Sequence, residues 1–166
     1  MMTRHRRWAQ FVIAVVVGSL VALGCDQIPR NSLEKNDLAA MAKTPVTITG
    51  KATYSSYIAD QDRTRALGLM NVTEVELPED QGMIFVFGYD AHLNFWMRNT
   101  IIPLDIAYIR SDGTIVKIHT MEPLNESGYP SVEPARFALE VRAGQFAARG
   151  IVEGDHVELP TTLFAD

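Results

Sequence analysis

The chain has 166 residues, 47% of them hydrophobic, and 15 basic against 20 acidic side chains for a net charge of −5. That length and balance suit one globular domain, and the acidic sign lacks the basic footprint of a nucleic-acid-binding protein. A single cysteine, Cys25, excludes an intramolecular disulfide framework, so the fold has to rest on its core.

Residues 1–24 read as a secretory signal peptide. Arg4, His5, Arg6 and Arg7 make a positive start, and Phe11 to Leu23 form a nearly uncharged, mostly apolar run. That run is shorter than the roughly 20 residues a spanning helix needs, and it has the length and flanks of a signal-peptide core. It ends in "VALGC" (21–25), which resembles the lipobox of bacterial lipoproteins although Ala22 replaces the usual leucine. The resemblance implies that Cys25 becomes the new N-terminus and carries lipid on its sulfur, palmitate included. Two or more acyl chains anchor stably where one is marginal. The expected location is therefore exported and membrane-anchored at the cell envelope. Asp26 is open to two readings: a signal for the periplasmic face of the inner membrane, or simply the first polar residue of a linker.

Losing Arg4, Arg6 and Arg7 leaves 12 basic residues against 20 acidic ones, a net charge of −8. Such a domain is repelled by anionic head groups, so its membrane contact runs through the anchor. Residues 25–44 form the lipidated cysteine and a tether, helical around Leu33 to Met41 or extended to about 60 Å.

Residues 45–166 are the folded domain. "VTIT" (46–49) and "ATYSSYIA" (52–59) form a hairpin around Gly50-Lys51. "DRTRALGLM" (62–70) is a short helix capped by Asp62. "GMIFVF" (82–87) and "LNFWMR" (93–98) are strands. "LDIAYIR" (104–110) and "IVKIH" (115–119) pair across Asp112-Gly113. "FALEV" (137–141) is a strand, Ala143 to Arg149 a helical turn, and "HVEL" (156–159) the last strand. Many short strands at close spacing predict an all-β sandwich or barrel with one or two short helices. Nothing alternates regularly enough for a βαβ sheet.

Side chains alternate across a strand. Leu93, Phe95 and Met97 share one face, and Asn94, Trp96 and Arg98 the other. The first set reads as core, the second as a flat amphipathic platform. The same alternation turns Phe137, Leu139 and Val141 inward with Glu140 opposite, and Val116 and Ile118 inward with Lys117 and His119 opposite. If these strands share a sheet, Trp96, Arg98, His119 and Glu140 lie on its second face.

Six ordered motifs carry a resemblance over residues 46–160: "RALGLM", "LPEDQGMIFVF", "FWMRNTIIPLDI", "YPS", "PARFALEV" and "GIVEGD". Together they resemble the domain-of-unknown-function family 192, widespread in bacteria and archaea. The resemblance implies a β-sandwich, jelly-roll-like fold and brings no established activity. Leu67 departs from it, standing where the family often has an arginine before "GLM", which leaves Arg65 as the basic residue of that helix.

The chemistry-bearing motif positions are Arg65, Trp96, Arg98, Asn99, Asp105, Tyr129, Ser131, Arg136 and Glu140. Each also has a structural role open to it. Arg136 can pair with Asp105 or Glu140, Asn99 and Thr100 can form a turn, Trp96 can be half-covered packing, and "YPS" can close a loop. His119 and Glu122 are the nearest approach to a metal-ligand pair, so no metal or cofactor is expected. Ser131, His119 and Asp105 could assemble a triad but lack a nucleophile-elbow motif. Asp105 and Glu140 could serve glycoside hydrolysis only at a separation of roughly 5 to 9 Å.

The expected function is a non-catalytic ligand-binding or interaction module for a polar or carboxylated small molecule, a glycan or a peptide. Its candidate residues are Trp96, Arg98, Asn99, Asp105, His119, Tyr129, Arg136 and Glu140. The rivals are an envelope hydrolase with Asp105, His119 or Glu140 as acid/base, and an assembly factor with an exposed apolar patch.

Overall fold

Polar–apolar alternation disappears where both faces of a strand are covered. β5 (Leu104–Ile109) is such a strand, buried at all six positions in the computed structural model, which describes residues 34–164. The signal peptide, Cys25 and the first part of the tether lie outside the described residues. β8 (Ala135–Arg142) is nearly as enclosed.

These two strands sit inside a seven-stranded sheet. Its other members are β1 (Lys43–Ile48), β2 (Ala52–Ala59), β3 (Gln81–Ala91), β6 (Ile115–Met121) and β9 (Val157–Glu158). The order is β6-β5-β8-β3-β2-β1-β9. β1–β2 and β5–β6 are the expected hairpins. All neighbours are antiparallel except β2 and β3. A parallel pair needs a long crossover connection. Here it carries α1 (Asp62–Leu67) and the loop after it, so one βαβ unit exists that the sequence pattern hides.

The sheet curls until its ends meet. Thr114 bridges His156, the Ile115 N–H donates to the Asp155 carbonyl at 2.9 Å, and the Val157 N–H donates to Gly113 at 2.8 Å. The inner face thereby gathers Val46, Ile48, Tyr54, Ile84, Ala107, Ile109, Ile115, Phe137, Leu139, Val141 and Val157 into one cluster. Phe146 of α2 (Gln145–Ala148) and Leu163 of a closing 3-10 turn (Thr161–Phe164) belong to the same cluster. The protein is all-β, as the strand count predicts. In place of a second large sheet, the outer face is covered by the crossover and by a two-stranded ribbon, β4 (Asn94–Phe95) with β7 (Tyr129–Pro130).

That cover creates a second apolar cluster. Tyr57, Met83, Phe85, Leu104, Ile106 and Tyr108 on the sheet meet Leu69, Val72 and Leu77 from the crossover and Met97 beyond the ribbon. Residues given to the tether by sequence also pack here. Asn36 Nδ2 donates to the carbonyls of Thr64 and Gly68, each at 2.9 Å, and Leu38 and Met41 lie against the cluster. Asp62 proves to be in the first turn of α1 rather than its cap. Gln61 holds the cap position, where its N–H donates to the Thr64 hydroxyl at 3.1 Å, while Asp62 pairs with Arg65 at 2.5 Å.

A candidate ligand cavity over Glu140

Register decides which acid faces which core. Glu140 pairs across with Met83 on one side and Ile106 on the other, and Ile106 pairs with His119. These four therefore share the outer face. Asp105, one residue from Ile106, points to the inner face, where it accepts hydrogen bonds from Thr120 Oγ1 at 2.7 Å and from the Phe146 N–H at 3.1 Å. The carboxylate pair proposed for glycoside hydrolysis is thus divided by the sheet. Asp105 instead holds the start of α2 against the barrel interior.

Glu140 is 4% exposed, and its carboxyl makes no hydrogen bond or ion pair among the described residues. It lines a cavity of about 270 Å3 between the sheet, the crossover and the ribbon. Phe85 and Phe87 come from β3, Leu67, Leu69 and Met70 from α1 and its exit, and Phe95, Trp96 and Thr100 from the ribbon and the turn beyond. Phe95 is the centre of the aromatic wall, edge-on to Phe85 at 4.8 Å and to Tyr108 at 5.7 Å between ring centroids. Leu67, the departure from the family pattern, makes this wall apolar where an arginine was the alternative.

Burial without a counter-charge disfavours the ionised form. It pushes the Glu140 carboxyl up to about 8, so at neutral pH the acid is mostly protonated. Arg65 also lines the cavity, but its guanidinium is committed elsewhere. It donates to the carbonyls of Asp60 and Val86, pairs with Asp62, and lies 5.4 Å from the Phe87 ring centroid.

The walls are built close. At Gly68, φ is +47° and a Cβ would come within 3.3 Å of the Phe85 ring, so only glycine brings the α1 exit so near β3. The roof is tied down by backbone bonds between residues in unusual conformations. The Asn71 N–H donates to the Asn99 carbonyl at 2.8 Å, and the Leu124 N–H to Thr100 at 3.0 Å. Asn71, Asn99 and Leu124 all have left-handed φ, at 57°, 54° and 60°. Backbone strain of this kind gathers at ligand clamps and active sites; here Asn71 and Asn99 directly neighbour the cavity-lining Met70 and Thr100.

The remaining sequence candidates fall into three places. Trp96 and Arg98 do form a platform, with the guanidinium 5.6 Å from the indole centroid. Trp96 is 48% exposed and lines the cavity; Arg98 does not line it. The platform belongs to the small ribbon and its exit, not to the sheet that carries His119 and Glu140, which corrects the shared-sheet expectation. Asn99 and Thr100 form the expected turn, closed by the Thr100 N–H to the Met97 carbonyl at 3.0 Å.

His119 and Tyr129 make the second group, fastening the ribbon. His119 Nε2 donates to the Pro130 carbonyl at 2.8 Å, and its ring lies 5.8 Å from that of Tyr129. The Tyr129 hydroxyl accepts from the Glu122 N–H and Asn125 Nδ2, each at 3.0 Å, and Tyr108 donates to the Tyr129 carbonyl.

Arg136 and Ser131 are structural. Arg136 pairs with neither Asp105 nor Glu140; its Nε donates to the Phe87 carbonyl at 3.0 Å and it lies over the Phe137 and Phe164 rings. Ser131 is fully buried, accepting from the Leu93 N–H and donating to the Glu133 carbonyl. With Asp105 on the other face, the Ser131–His119–Asp105 triad is not assembled. Among the described residues no three His, Cys, Asp or Glu side chains cluster to hold a metal. Sequence reasoning missed Phe85, Phe87, Leu69 and Met70 as cavity residues, since each reads as ordinary core.

The fold and site define an all-β protein with a small aromatic cavity, open to solvent beside Trp96, over a buried acid. The chain belongs to the DUF192 family, described as "Uncharacterized ACR", whose family model matches residues 44–159. A protein of unknown function from Novosphingobium aromaticivorans is 35% identical, with a TM-score of 0.70 over 76% of this chain and 91% of that one. A Sinorhizobium meliloti protein described provisionally as a transcription regulator is 36% identical, with a TM-score of 0.66 over 71% of this chain and 94% of that one. No curated protein matches the chain.

Proposed function

We propose that this protein is a non-catalytic ligand-binding module of the cell envelope, held to the membrane by lipid on Cys25, with its site in the cavity over Glu140. One observation carries the binding half: a buried carboxyl without a partner lines an otherwise aromatic and aliphatic cavity. Pockets of this make-up, mostly apolar with a few polar groups, are the usual small-molecule sites. The site differs from the flat Trp96–Arg98 platform, of which only Trp96 contributes. It favours a small molecule, or one protruding group of a larger one, over an extended glycan or peptide laid across a surface.

The hydrolase alternative draws no support from this geometry, because Asp105 lies across the sheet and His119 is bonded to Pro130. A nucleic-acid-binding role draws no support from a net charge of −5, or −8 without residues 1–24. The anchoring half rests on "VALGC". Its test is Cys25→Ser, which is expected to abolish palmitate labelling and move the chain from the membrane to the soluble fraction. The binding half is tested by a thermal-shift panel of small amines, alcohols and carboxylates on the wild type and Glu140→Leu. Stabilisation by one class, altered in the variant, supports the cavity; stabilisation identical in both places the site elsewhere.

A further inference from the structure

We propose that the cavity takes an organic ammonium group on a small apolar body, with the Glu140 carboxylate as its counter-ion and the rings of Phe85, Phe95 and Trp96 around it. This deepens the cavity reading and rests on it. Three features of the site point the same way.

The first is the choice of polar group. A glutamine at position 140 would offer a neutral ligand the same kind of hydrogen bond without titrating. An acid supplies one thing an amide cannot: it gives its proton to solvent and becomes negative when a cation arrives. The second is the wall. Aromatic faces carry negative potential and attract cations, most strongly where water is excluded; Phe85 and Phe95 line the space, together with Phe87 and Trp96, each of which already has an arginine, Arg65 or Arg98, over one face. The third is size. An apolar cavity of about 150 Å3 is enough for benzene, so about 270 Å3 accommodates a ring or short chain with an amine-bearing arm. The acidic balance of the domain adds a long-range attraction for cations.

The other titratable groups on this side of the sheet are accounted for. Arg65 of α1 is paired with Asp62, Arg142 of β8 with Glu74 and Glu79, and Lys117 of β6 with Glu153, while Arg98 beyond the ribbon lies over the Trp96 ring. His119 and Tyr129 are bonded within the ribbon contacts, and Tyr108 donates to the Tyr129 carbonyl. Lys43 at the far end of the pairing row lies over Tyr57 of β2. None of them bonds to Glu140, so the charge that forms there on ligand binding is left for the ligand.

The chemistry predicts a proton balance. Below pH 8 the acid is mostly protonated, so an incoming ammonium displaces its proton to solvent, and apparent affinity scales with the ionised fraction. The test is calorimetric titration of the full chain with 2-phenylethylammonium, 2-phenylethanol and 3-phenylpropanoate at pH 6, 7 and 8, in buffers of different ionisation enthalpy. The ammonium is expected to bind at least tenfold more tightly than the alcohol at pH 8. Its affinity is expected to rise roughly 50-fold from pH 6 to pH 8, with close to one proton released per ligand at pH 6. Glu140→Gln is expected to remove the pH dependence of ammonium binding and its proton release.

Proton release in the wild type stands as evidence whether or not the variant folds. If alcohol and ammonium bind equally, with no proton release, the ammonium proposal is overturned while the cavity remains a ligand site. If none of the three probes binds up to millimolar concentration, the proposal fails together with the cavity reading beneath it.

Discussion

Replacing Glu140 by glutamine keeps the shape of the side chain and removes its titration. In the unfolded chain this carboxyl ionises near 4.5, and in the folded protein burial raises it to about 8. Between those values the native state holds a proton that the unfolded state has released, so stability falls as pH rises. The contribution of Glu140 is most favourable below pH 4.5, declines by about 1.4 kcal/mol per pH unit, and levels off above pH 8. Over the whole window that is about 5 kcal/mol, and from pH 5 to pH 8 about 4 kcal/mol. Glutamine contributes a constant. Urea unfolding of wild type and Glu140→Gln at pH 5, 6, 7 and 8 therefore shows a gap that grows in the variant's favour as pH rises. With a slope of about 2 kcal/mol per molar urea, the relative midpoints move by about 2 M across the series. The exposed acids held low do not interfere. Glu76, kept near 2 by its hydrogen bonds from Lys35 and Thr73, loses its contribution only as pH falls below 4.5. A gap that stays constant within about 0.5 kcal/mol from pH 5 to pH 8 refutes a buried, uncompensated Glu140.

Further predictions follow from the same contacts. Asp105→Ala leaves the buried Phe146 N–H without its acceptor, while the exposed Thr120 hydroxyl turns to water, and the urea midpoint should report a loss of about 1–3 kcal/mol. Trp96→Ala removes a half-exposed ring and should lose under about 1 kcal/mol in the same assay. A loss of several kcal/mol would make that indole core. Leu124 holds a left-handed conformation at 61% exposure. Leu124→Asn, a residue that tolerates this backbone, should raise stability by about 1 kcal/mol, measured by calorimetry.

Much of the scaffold was readable because hairpins are local. Gly50-Lys51 and Asp112-Gly113 join strands adjacent in sequence, and β1–β2 and β5–β6 pair as expected. Parity within one strand was also readable, so Phe137, Leu139 and Val141 were separated correctly from Glu140. What periodicity cannot supply is register between strands distant in the chain. Pairing of Ile106 with Glu140 is what sends Asp105 to the inner face, and nothing in either segment announces it. The parallel β2–β3 pair was hidden for a related reason, since its 60–80 crossover holds only six helical residues, and one short helix does not announce a βαβ unit. Because that crossover supplies one wall of the cavity, the site was legible only as a list of side chains. Glu140 and Trp96 were on it, but the space between them depends on three segments meeting.

A ligand site over Glu140 requires that small molecules enter this space. The most direct measurement is a 13C NMR titration of the full chain with a small-fragment panel, following the Met70 methyl and the Glu140 carboxyl. Fragments that bind are expected to shift both signals together, saturably and with one affinity. Fragments that bind while leaving both signals unmoved, for instance in the groove lined by Lys43, Thr53 and Asp80, would contradict it.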